Sequence, residues 1–189
     1  MNRKYFRLAD LYGELAAARK EDMRFERLMR FRVERLGQLL GRLPQQGEAF
    51  FVETRKSFTA FAFVTYVARH AGPVSDLYIA TYSTNQRVIN ALLRLRRQGL
   101  VGNVRMHVSE TLRYRMPEVW EELRRLDRCG EIRMTAAWSH KKVAAMRTAQ
   151  GCFVVEGSGN YGENALEEQY VFIKSEEVYE FRQGNRPAE

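Results

Sequence analysis

From Glu48 to Phe181 the apolar residues fall alternately into strand-length and helix-length runs, and that alternation admits few folds. Ala49 to Glu53 is a short apolar run of strand length. Ser57 to Ala71 is apolar almost throughout (Phe58, Phe61, Phe63, Val64, Tyr66, Val67), which predicts a buried helix. Leu77 to Tyr82 reads as a strand, and Asn85 to Gln98 as an amphipathic helix with Val88, Ala91, Leu92 and Leu95 inward. Ser83-Thr84-Asn85 supplies an N-cap at a strand's C-terminal end, where it can also line a cleft. Gly99 stands where a helix terminus favours glycine. Val104 to Val108 is the next strand, Pro117 to Leu126 a helix opened by proline, and Ile132 to Ala136 another strand. Lys142 to Thr148 and Cys152 to Glu156 form a hairpin, Gln169 to Lys174 a late strand, and Ser175 to Phe181 a short helix. Strand–helix repeats followed by a hairpin predict an α/β domain with a mixed β-sheet flanked by helices.

Before Pro44 the text is different. Leu8, Leu11, Tyr12 and Leu15, then Phe25, Leu28, Val33, Leu36, Leu39 and Leu40, fall at helical spacing, and arginines (Arg19, Arg24, Arg27, Arg30, Arg32, Arg35) fill the positions between. Pro44-Gln45-Gln46-Gly47 breaks the pattern. The expected organisation is a helical N-terminal extension over 1–43 and an α/β domain over 44–189. With 31 basic and 23 acidic residues the chain carries a formal charge of +8, which favours a polyanionic partner through counterion release. No apolar run approaches membrane-spanning length, so no membrane partner is expected. Cys129 and Cys152 lie far apart and in no metal-ligand spacing; buried thiols in a reducing, cytoplasmic setting are expected.

The residues that carry chemistry lie on the hairpin. Alternation places His140 and Lys142 on one face of a strand. The second arm returns the chain to the same end of the sheet at Gly157-Ser158-Gly159-Asn160, where glycines let the backbone approach a ligand. Imidazole, ammonium, hydroxyl and carboxamide then converge, a set suited to gripping and attacking a phosphodiester. Any one of these residues alone reads more readily as structure; their order and shared hairpin give the reading its weight. His70 and His107 lack such company and read as structural or surface residues.

His140-x-Lys142 with Gly157-Ser158-x-Asn160 resembles the HKD motif of the phospholipase D superfamily. The run Glu163-Asn164-Ala165-Leu166-Glu167-Glu168-Gln169 looks like the segment in which that family carries a glutamate beside its histidine. The resemblance implies a phospholipase D-like fold. With one motif per chain, it also implies a homodimer that pairs two histidines, as in the superfamily's small nucleases. It further implies metal-independent and cofactor-free hydrolysis of a phosphodiester, with catalytic residues His140, Lys142, Asn160 and Glu168, and with Ser158 and Gly157 contacting substrate. One neutral histidine attacks phosphorus and its protonated counterpart serves the leaving oxygen. Imidazoles, titrating near ~6.5 in model peptides, supply both forms around neutrality. Lys142 and Asn160 hold the non-bridging oxygens, and Glu168 orients the His140 ring. The charge favours nucleic acid over lipid, with DNA expected ahead of RNA.

The text departs from the family in three places. Arg147 stands where an aspartate is usual and is expected to add positive charge near the site; the hairpin is longer than the common spacing; Leu166 replaces a frequent asparagine. Three other readings stay open: a module that binds nucleic acid without turnover, an enzyme on lipid or other phosphate esters, and an assembly protein acting through its helical N-terminus.

Overall fold

The computed structural model describes residues 8–55, 58–162 and 167–184, with side chains from residue 23 onward. Its elements run α1 (Leu8–Leu40), β1 (Ala49–Arg55), α2 (Ala60–His70), β2 (Val74–Thr81), α3 (Gln86–Arg97) and β3 (Val101–Ser109). They continue with α4 (Leu112–Arg115), α5 (Pro117–Arg128), β4 (Arg133–Ala137), β5 (Val143–Thr148), β6 (Gly151–Gly157), β7 (Glu167–Lys174) and α6 (Glu176–Gln183). Each strand and helix expected over the described residues is present; the single turn α4 is the one element the periodicity does not announce, because four residues are too few to show a period.

The strands form one mixed sheet in the order β1-β7-β6-β5-β2-β3-β4. β2 pairs in parallel with β3, and β3 with β4, whereas β2 pairs antiparallel with β5. From β5 outward through β6, β7 and β1 every pairing is antiparallel. The C-terminal ends of β2, β3, β4 and β6 therefore meet the N-terminal ends of β5 and β7 along one edge.

The hairpin strands are apolar on both faces. Ala144, Met146, Phe153 and Val155 enter the larger core, while Val143, Ala145, Cys152 and Val154 enter a second, smaller one on the opposite face. A strand buried on both sides reads as a continuous apolar run, and β5 and β6 do. On the larger side α2 is buried from Ala60 to Ala68. It packs between the sheet and α1, whose Phe25, Met29, Val33 and Leu36 belong to the same core. Phe63 lies 5.2 Å from Tyr170 and 5.3 Å from Phe172, ring to ring, tying α2 to β7. Local signals close the helices as expected. Asn85 Oδ1 accepts from Val88 N at 2.9 Å, Pro117 opens α5, and Gly99 takes a φ of 70° just past α3.

Among the described residues the smaller core is covered by α6, and polar contacts hold that helix down. Ser175 caps it, accepting from Val178 N at 3.2 Å. Asp76 on β2 accepts from Tyr179 Oη at 2.5 Å and from Arg105 at 2.9 Å. Arg147 at the far end of β5 donates to Glu176 at 2.8 Å and to Glu180, with its guanidinium 4.6 Å from the Tyr179 ring centre. Burial, with the Asp76 hydrogen bond, pushes the Tyr179 phenol up to about 12, so it stays a donor. This placement corrects the expectation for Arg147. Five residues along a strand separate it from Lys142, about 17 Å, and two carboxylates neutralise it. Of the two thiols, Cys152 is buried as expected, its pKa raised to about 11 chiefly by burial, but Cys129 at the end of α5 is exposed.

Replacing Arg147 tests its role. Arg147→Ala is expected to cost about 1 kcal/mol in urea unfolding, because the side chain is partly exposed and screened, and the loss shrinks at high salt. Arg147→Asp, the residue the resemblance calls for, sets a third carboxylate beside Glu176 and Glu180 and is expected to cost more than the alanine.

Candidate active site

The hairpin turn at Ala149-Gln150 sends β6 back beside β5, so that Gly157 N donates to Lys142 O at 3.2 Å where the two arms reach the edge of the sheet. His140, just before β5, is exposed, while Lys142 retains 9% of its accessible surface. Lys142 Nζ lies 2.9 Å from His140 Nδ1 and donates to the His140 carbonyl at 2.9 Å. The same Nζ lies 3.3 Å from His140 Nε2. The segment after β6 is stitched to the end of β2: Tyr161 N donates to Thr81 Oγ1 at 3.2 Å, and Ser83 N donates to Asn160 Oδ1 at 3.3 Å. With its oxygen engaged, Asn160 presents its NH2 as the donating end of the carboxamide.

Ser158 and Glu168 face each other across the β6–β7 junction. Ser158 Oγ donates to Glu168 Oε2 and accepts from Gln169 N at 3.1 Å. The Glu168 carboxylate thus sits on Ser158, and its charge reaches Lys142. Burial lowers the Lys142 pKa, and the Glu168 and Tyr82 charges oppose that shift. The ring of His140 instead contacts Tyr82, centroids 4.6 Å apart. The expected run from Glu163 to Leu166 lies outside the described residues.

Gly157 also has a packing role within the sheet. A Cβ there would lie 2.0 Å from Gln169 O and 2.8 Å from the Tyr170 ring. The missing side chain lets β6 close against β7, and so places Ser158 beside Glu168.

Tyr82 is the residue that sequence reasoning missed. It directly follows β2, its hydroxyl accepts from Arg115 Nη1 at 2.9 Å, and Lys142 Nζ lies 5.7 Å from its ring centre. Hydrogen bonds with Thr111 and Arg115, then the Arg115 and Lys142 charges, hold its phenol below the usual range. The one available signal was its place beside Ser83-Thr84-Asn85 at the end of a strand. His70 and His107 lie outside this cluster: His70 Nδ1 is 2.9 Å from Tyr66 O, and His107 Nδ1 is 3.1 Å from Thr135 Oγ1. Among the described residues no group of three or more His, Cys, Asp or Glu is placed to hold a metal ion, and no helix is long and apolar enough to cross a membrane.

No family model matches the sequence, and no curated protein matches it. Solved structures do resemble it in fold. Polyphosphate kinase from Porphyromonas gingivalis superposes over 75% of this chain and 26% of its own, with a TM-score of 0.55 and 16% identity. Phosphatidylserine synthase from Haemophilus influenzae Rd KW20 superposes over 72% of this chain and 37% of its own, with a TM-score of 0.51 and 11% identity. The chain thus spans well under half the length of either of these two proteins. At these identities the likeness establishes the architecture: a phospholipase D-like α/β fold with a helix at its N-terminal side.

Two substitutions probe this geometry. Gly157→Ala is expected to lower stability by about 1–3 kcal/mol, the range for forced overpacking, and to break the Ser158–Glu168 contact. Lys142→Met tests the cost of the buried ammonium. Because folding lowers the lysine's pKa, the charged form is disfavoured in the fold at neutral pH, and that penalty fades as pH rises through the lowered value toward the ordinary lysine range. The melting temperature of Lys142→Met is therefore expected to exceed the wild type's by a few degrees at pH 7, roughly 2–4 °C per kcal/mol for a chain of this size, with the gap closing by about pH 10.5.

Proposed function

We propose that this protein is a metal-independent phosphodiesterase, a nuclease acting through a phosphohistidine at a site shared by two copies of the chain. The observation that carries the reading is the convergence of His140, Lys142, Asn160, Ser158 and Glu168 at one edge of a phospholipase D-like sheet. In the proposed reaction a scissile phosphate enters beside His140. Its oxygens compete for the Lys142 ammonium, since a charge-assisted bond to an anion is stronger than one to a neutral imidazole. Asn160 NH2 and Lys142 take the non-bridging oxygens and stabilise charge developing at phosphorus. The freed imidazole attacks phosphorus, the P–O bond to the leaving group breaks, and the partner subunit's His140 gives that oxygen its proton. Water, deprotonated by the same partner histidine, then hydrolyses the P–N bond and restores both rings. Glu168 and Ser158 act as a pair that keeps negative charge near Lys142. On this reading 44–189 is the catalytic domain and 1–43 its helical extension. The chain's +8 charge supports nucleic acid as substrate, with DNA ahead of RNA.

One observation favours the reading of a binding module without turnover: the described contacts of Glu168 run to Ser158 and not to the His140 ring that a carboxylate would orient. The two readings part in a single assay. Purified protein in EDTA is expected to cleave labelled DNA between pH 5 and 8. His140→Ala should lower the rate at least 10³-fold, and Lys142→Ala 10²- to 10³-fold, about the loss of one strong oxyanion donor. Acid-quenched wild type should carry label on histidine, and sedimentation should give a dimer. Salt-sensitive binding with no product and no labelled histidine in any DNA or RNA form would sink the enzyme reading.

A further inference from the structure

Two large aromatic side chains stand in solvent on one side of the site. Trp138 is 74% exposed and Tyr114 is 73% exposed. The sheet joins the segments that lead to them: Ser109 at the end of β3 pairs with Ala137 at the end of β4, and Glu110 N donates to Ala137 O at 3.0 Å. Tyr114 follows on α4 and Trp138 follows Ala137. Trp138 is two residues before His140, so their Cα atoms lie at most about 7 Å apart. From α4, Arg115 reaches back to Tyr82, whose ring contacts His140.

Charge separates the two sides of the site. Arg113 and Arg115 are exposed on α4 beside Tyr114, with Glu110 half-buried just before that helix, while exposed Lys141 lines the groove that also holds His140, Lys142 and Glu53. On the other side Glu53, Glu167 and Glu168 line a groove with Arg55. Arg113 and Arg115 attract a phosphate backbone on the first side, and the three carboxylates weaken that attraction at the second groove. Bases have π faces that indole and phenol rings can stack on, but in a duplex those faces are already stacked on one another. Large exposed rings interleaved with arginine and lysine suit an unpaired strand.

Resting on the nuclease reading, we propose that the substrate is single-stranded nucleic acid, with bases next to the scissile phosphate stacking on Trp138 and Tyr114. Its backbone then crosses Arg113, Arg115 and Lys141 before reaching His140. Double-stranded nucleic acid meets the same cations without the stacking.

Tryptophan emission tests this, because the chain has two tryptophans and the other, Trp120, is 9% exposed within the core. The full chain carrying His140→Ala, so that nucleic acid survives the titration, is mixed with a twelve-residue oligothymidylate and, separately, with a blunt duplex of equal length. Oligothymidylate is expected to quench the emission and the duplex to leave it nearly unchanged. Adding Trp138→Ala should weaken oligothymidylate binding roughly 5- to 150-fold, the range for one stacked base, with duplex binding altered less than twofold. Tyr114→Ala should act in the same direction. Both side chains are exposed, and circular dichroism verifies that the variants fold. Equal quenching by the duplex, or unchanged oligothymidylate affinity in Trp138→Ala, overturns the proposal. So does a concentration-dependent emission shift without nucleic acid, which would show a second copy covering Trp138. None of these readouts requires cleavage, so a catalytically silent protein that still discriminates strands through Trp138 sinks the nuclease reading and leaves the single-strand stacking surface standing.

Discussion

The antiparallel pairing of β5 with β2 is the constraint on which the site depends. β2 is parallel to its other neighbour, so the sheet changes sense at this junction. Were β5 parallel to β2, His140 and Lys142 would begin at the opposite edge from Tyr82 and Ser83. Antiparallel pairing brings the start of one strand to the end of the other. The β5–β6 hairpin then returns Ser158 and Asn160 to that edge without a crossover helix. Groups more than seventy residues apart in sequence meet through ladder hydrogen bonds that also hold the fold together.

The two faces of this junction are stabilised differently. One is an extended apolar core in which α2, nearly all buried, fills the space between the sheet and α1. The other is a small core beneath one eight-residue helix, where apolar area is limited and polar contacts from Asp76, Arg105, Arg147 and Glu176 supplement it. Such contacts contribute little singly when exposed, but several converging on one helix fix its orientation. The exposed edge residues of the site draw on neither core and are held by hydrogen bonds to backbone ends.

The architecture was legible because its elements are long and periodic, and because Pro, Gly and Asn stand at their ends. The hairpin residues were legible as a cluster because strand alternation and a tight turn determine where they point. Tyr82 was not, since a tyrosine ending an apolar strand looks like core until the neighbouring strand order is known. Arg147 was misplaced for a related reason. Sequence distance from Lys142 is short, but five strand residues are a long physical distance, and the carboxylates that engage Arg147 come from a helix about thirty residues later. The packing role of Gly157 was not legible, because its missing side chain answers a carbonyl on β7 that nothing in the local sequence announces.

The double burial of β5 has a further consequence. In a strand with one wet face, a slip of one residue drives polar groups inward and is rejected on that ground. Both faces of β5 are greasy, so polarity alone discriminates poorly between neighbouring alignments. The discrimination falls to volume, small Ala144 and Ala145 against bulky Met146, and to the far turn, where Thr148 Oγ1 donates to Gly151 O at 3.0 Å and Gly151 takes a φ of 117°. A two-residue loop at the opposite pole of the molecule thereby acts as the ruler that decides which side chains arrive at the reacting edge.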